Sequence, residues 1–76
     1  MALVRRVTVT FEDQKGKISQ IEAVVPSSAF AESLPAREQL ARPEIRQHFD
    51  ADLSRVLSVE IGDEWDPTEG VGFLMG

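Results

Sequence analysis

Seventy-six residues, 42% of them hydrophobic and 28% charged, make one small domain, too apolar to stay disordered and too short for a second core. No cysteine is present, which excludes a disulfide framework and a thiolate zinc site. The net charge of −5 argues against nucleic acid, because phosphate-backbone binding rests on cations gathered on one face, and the eight here are spread along the chain.

A chain this short buries only about 60% of its unfolded surface, so packing or a partner must supply the remaining stability. Self-association is therefore an expectation from the start. The opening "MALVRRVTVTFED" places its arginines after the first apolar residues and runs straight into alternation. That is the pattern of neither a signal peptide nor a membrane anchor, and it makes the cytoplasm the expected location.

"RRVTVTFEDQKGKISQIEAVV" alternates apolar and polar residues on both sides of a turn, which predicts an antiparallel hairpin. With Val7, Val9 and Phe11 inward, the matching parity on the second strand is Ile21, Ala23 and Val25. That register pairs Val9 with Ile21 and Val7 with Ala23. It leaves Gln14, Lys15 and Gly16 as a three-residue loop whose third position needs the left-handed conformation open to glycine. The outer face then carries Arg6, Thr8, Thr10, Glu12, Gln20 and Glu22, together with Ile18 and Val24, which are more apolar than a wetted face requires.

After Pro26, "SSAFAESL" offers capping serines ahead of Phe30 and Leu34 and predicts one or two helical turns. Pro35 opens a second segment, "PAREQLAR", that should stop near Arg42, because the residue before a proline disfavours helical geometry. Pro43 restarts a helix over "PEIRQHFDADL", in which Ile45, Phe49 and Leu53 form one apolar stripe. "RVLSVEIGDEW" alternates again, with Leu57, Val59 and Ile61 on the inner side, and predicts a third strand ended by Gly62. "GVGFLMG" has the composition of a short fourth strand. The expected fold is α+β, in the order β-β-α-α-β, an antiparallel sheet with helices on one face. Residues 1–64 form the domain, and residues 65–76 a C-terminal segment docked on it or on a partner.

Candidate chemistry is sparse. Glu44, His48 and Asp52 stand four apart and would share one flank of the predicted helix, but a single histidine without cysteine leaves most metal positions to water, so no metal is expected. His48 is the one histidine and hence the one obvious general base near neutrality. No "GxSxG" surrounds any serine. "GDEWDPTEG" is acidic, yet Trp65 and Pro67 interrupt the alternating oxygen ligands of a calcium loop. No cofactor is implied.

Trp65 is too large to leave wet without cost, so it serves either as a lid on the core or as an interface anchor with a carboxylate rim. The following Phe73, Leu74 and Met75 dock on the sheet's outer face near Ile18 and Val24, or add to the sheet of a second subunit. The leading expectation is a non-enzymatic interaction module, binding itself or a larger protein through a sheet edge and the Trp65 segment, with a regulatory or inhibitory role. In one variant, Glu12, Glu22, Glu60, Asp63, Glu64, Asp66 and Glu69 make it an acidic decoy for a basic surface. The alternative is a small dimeric enzyme or ligand-binding protein that uses His48 with Glu44 or Asp52.

Overall fold

The computed structural model describes residues 3–51 and 53–68. Two nine-residue strands, β1 (Val4–Glu12) and β2 (Ile18–Pro26), form the hairpin, and β3 (Val56–Ile61) pairs with the other side of β1. The sheet is antiparallel throughout, with order β2-β1-β3. Between β2 and β3 the chain makes a 3-10 turn (Ser27–Ala29) and two short helices, α1 (Ala36–Leu40) and α2 (Pro43–Arg46). The architecture is small α+β, as the alternation and the proline punctuation predict. No helix among the described residues is long and apolar enough to cross a membrane.

The hairpin has the predicted register, Val9 opposite Ile21 and Val7 opposite Ala23. Gly16 takes the left-handed φ of 80° that the loop needs. Asp13 organises the turn: its carboxylate accepts the backbone N–H of Lys15 and of Lys17, each at 2.9 Å, while its carbonyl accepts that of Gly16. An Asx-type closure of this kind gives the loop donors a local partner.

Val7, Val9, Val25 and Ile45 are almost fully buried and, with Leu40, Phe49 and Leu53, form the core between sheet and helices. The buried polar residue among them is Gln39, which works as a staple. Its Oε1 accepts the Ala31 N–H at 3.0 Å, and its amide donates to the Ala31 carbonyl and, at 3.5 Å, to that of Leu34.

Three elements differ from the expectation. "SSAFAESL" supplies only the three-residue 3-10 turn, without a side-chain cap, and Ser33 turns the chain with a left-handed φ of 69° ahead of Pro35. The helix from Pro43 ends at Arg46 instead of running to Leu53. The Arg46 guanidinium reaches forward to the carbonyls of Phe49 (3.3 Å) and Ala51 (3.0 Å), which gives an irregular segment the partners a helix would otherwise provide. Ile45, Phe49 and Leu53 still reach the core, though not as a helical stripe.

In β3 a bulge shifts the pairing between Thr10 and Phe11, so that Ser58 faces Thr10 but Val56 faces Phe11. Leu57 becomes the extra residue and is 43% exposed, while Val56 packs against the core in its place. The segment "GVGFLMG" lies outside the described residues.

Candidate interaction surface

The parity that sends Val7, Val9 and Val25 inward leaves the opposite face of the sheet to Arg6, Thr8 and Thr10 on β1 and to Ile18, Gln20, Glu22 and Val24 on β2. The described helices lie on the inner face. Ile18 is 62% and Val24 49% exposed, so two β-branched aliphatics stand on this face in water.

The edges of the sheet are unequal. At one end of the hairpin the Ser27 N–H donates to the Leu3 carbonyl at 2.9 Å, and at the other the Asp13 N–H donates to Lys17 at 2.9 Å. Antiparallel ladders alternate residues that bond inward with residues that bond outward. The odd-numbered residues of β2 therefore bond to β1, while Ile18, Gln20, Glu22 and Val24 direct both backbone groups to the open edge. No described residue pairs with β2 on that side.

The β3 edge is defended by contrast: it is shorter, it carries the bulge, and the Arg37 guanidinium from α1 donates to the carbonyls of Val56 (3.0 Å) and Leu57.

Trp65 extends the sheet beyond β3. Its N–H donates to Val4 and its carbonyl accepts the Val4 N–H, both at 3.0 Å, in an isolated bridge. Val4 has the parity of Arg6, so the indole stands on the outer face, half-buried, with the Arg6 guanidinium 5.7 Å from the ring centroid. It is not among the residues packed on the core. An open groove of about 610 Å³ runs beside it, lined by Arg6, Thr8, Glu60, Ile61, Asp63 and Trp65. Phe73, Leu74 and Met75 lie outside the described residues.

Three of the acids in the decoy reading are engaged within the chain. Glu64 pairs with Arg5 at 3.0 Å, Glu12 with Arg55 at 3.4 Å and Glu22 with Arg6 at 3.9 Å. Glu60, Asp63 and Asp66 make no ion pair with another described residue. Of the seven acids of the decoy reading, those left unpaired among the described residues are the three around Trp65, and Glu69 lies outside the described residues.

The His48 constellation does not assemble among the described residues. His48 is exposed just past the end of α2, with no side-chain hydrogen bond or ion pair to another described residue. Glu44 is held by Arg42 at 2.8 Å, and Asp52 lies outside the described residues. No group of three or more potential metal ligands occurs among the described residues. The hollow between α1 and β3, about 280 Å³, is lined among the described residues by Arg37, Leu40, Ala41, Arg46, Leu53 and Val56, none of them an acid or a histidine.

Sequence reasoning identified Ile18, Val24 and Trp65, but it missed Arg6 as the partner of the indole and the inequality of the two edges. Parity alone contained the first, since Arg6 belongs to the outer face. Comparison with protein-family models, with curated proteins and with solved structures finds no match. The functional reading accordingly rests on the chain's own geometry.

Proposed function

We propose that the protein is a non-enzymatic interaction module of the cytoplasm, which binds another protein chain along the open edge of β2 and the outer face of the sheet, with the Trp65 end as a second contact. The observation that carries this reading is the nine-residue β2 edge, with which no described residue pairs and whose outward-bonding residues include the two exposed aliphatics Ile18 and Val24. Strand addition uses such an edge directly: the backbone groups provide the affinity and the alternate side chains the selectivity. Trp65 supplies an amphipathic anchor beside a groove with an acidic rim. A regulatory or inhibitory role is the use to which a module of this size lends itself.

The test is capture from a lysate of the cells that make the protein, using the immobilised full chain, Val24→Lys and His48→Gln, each first shown to be folded by circular dichroism. Captured protein, a further copy of the chain included, is expected to be lost with Val24→Lys and kept with His48→Gln. Capture that ignores Val24→Lys and disappears with His48→Gln would move the site to the helical side and revive the acid–base reading.

A further inference from the structure

We infer that the occupant of the β2 edge is a second copy of this chain, added antiparallel about a two-fold axis at Ile21 to give one continuous six-stranded sheet. This inference rests on the interaction reading above and deepens it by naming the partner and the register.

The outward backbone groups of β2 have no partner among the described residues. Because Ile18, Gln20, Glu22 and Val24 bond outward, a two-fold β2–β2 pairing must place even-numbered residues opposite even-numbered ones. Of the centres from Ser19 to Ala23, the two outermost pair only two of these four residues with one another, which leaves three. An axis at Glu22 sets Glu22 directly against the same carboxylate of the second copy, which like-charge repulsion disfavours. An axis at Gln20 sets Ile18 against Glu22 and leaves Val24 opposite Gly16, beyond the strand. An axis at Ile21 sets Ile18 against the second copy's Val24, Gln20 against its Glu22, and Ile21 against its Ile21.

That third register accounts for three features at once. The two aliphatics exposed on the outer face become cross-strand partners of each other, and each pair exchanges both N–H···O bonds. The glutamate meets an amide that can donate to it. The ladder also ends where the chemistry ends, because Pro26, next in the outward-bonding series, has no N–H to give.

Charge favours the same edge. The stretch from Lys15 to Pro26 contains Lys15, Lys17 and one acid, Glu22, and that acid already lies 3.9 Å from Arg6. A chain with a net charge of −5 thus presents to its copy a segment that is not acidic.

Gln20 tests the register. It is exposed, and among the described residues its side chain makes one long hydrogen bond, 3.4 Å to Thr10, so its replacement should leave the fold intact. In the inferred dimer each Gln20 faces a Glu22, twice by symmetry. Gln20→Lys should tighten the dimer and Gln20→Glu should weaken it, each by roughly 2- to 30-fold from two cross-strand charge pairs, and the separation should narrow as salt is raised.

Sedimentation equilibrium of the purified full chain and both variants reads this directly. A monomer–dimer equilibrium with Gln20→Lys tighter and Gln20→Glu weaker than the parent supports the inference. A monomer up to about 1 mM, or a dimer whose affinity the two substitutions leave equal or shift in the same direction, overturns it. The purified sample contains only this chain, so a monomer removes the second copy as occupant while the edge reading stands. Lysate capture indifferent to Val24→Lys overturns the edge reading itself.

Discussion

Replacing Gln39 with leucine keeps the volume of the side chain and removes its polar end, which isolates what the buried amide contributes. The structure gives it two well-formed hydrogen bonds, from the Ala31 N–H at 3.0 Å and to the Ala31 carbonyl, and a third to Leu34 that at 3.5 Å adds little. At about 0.5–1.5 kcal/mol net for each of the two, the loss is about 1–3 kcal/mol. A domain of this size shifts its Tm by about 4–8 °C per kcal/mol, so Gln39→Leu should melt roughly 4–24 °C below the parent.

Circular dichroism melts give the size of the effect, and amide exchange by NMR gives its place: Ala31 should lose protection ahead of the strand amides. Gln39→Glu separates hydrogen bonding from volume further, since a carboxylate can accept from the Ala31 N–H but faces two carbonyls with nothing to donate. It should be at least as destabilising as leucine at neutral pH. A leucine variant that melts within about 2 °C of the parent, with Ala31 still protected, would refute the idea that this amide fixes the connection between the 3-10 turn and α1.

The core makes a larger demand. Ile45 is fully buried, so Ile45→Ala should cost about 2–5 kcal/mol. Against the roughly 4–11 kcal/mol expected for a chain of this length, that should move the urea midpoint well down, and close to zero denaturant if the parent stands at the low end. A loss below about 1 kcal/mol would show that the site collapses around the smaller side chain. Gly16→Ala should cost roughly 1–2 kcal/mol through its φ of 80° alone, because the nearest atom to an added Cβ is Glu12 Oε1 at 3.9 Å and space is not the obstacle. Gly16→Asn should recover part of that loss in the same urea titration, since asparagine visits the left-handed region more readily.

How far the fold was legible can be followed residue by residue. The hairpin is written twice in the sequence, once in the alternation that fixes which residues face inward and once in a loop whose glycine stands where a left-handed residue is required. The two agree, and the register follows. The helical region was legible only as composition. Ile45, Phe49 and Leu53 are core residues as the spacing implies, but a spacing of four cannot tell a helix from an irregular segment held by an arginine, and Arg46 reaching to Phe49 and Ala51 is a contact between side chain and loop that no periodicity encodes.

The candidate site divides along the same line. Ile18 and Val24 could be placed on the outer face because strand parity is local. The flank of Glu44, His48 and Asp52 could not be tested by spacing alone, since it presumes a helix that stops at Arg46. Trp65 was identified by its chemistry, yet its position over Arg6 depends on a bridge to Val4 at the far end of the chain.

By itself, then, the sequence determined the α+β class, the hairpin and its register, and most of the core, because each follows from alternation, turn chemistry or burial tendency acting over a few neighbouring residues. Only the tertiary structure decided that Val56 and not Leu57 enters the core, that α1 defends one edge of the sheet through Arg37, and that no described residue pairs with the outer edge of β2. Those outcomes depend on which strand lies beside which, a competition between distant segments for the same backbone donors and acceptors that no local pattern records.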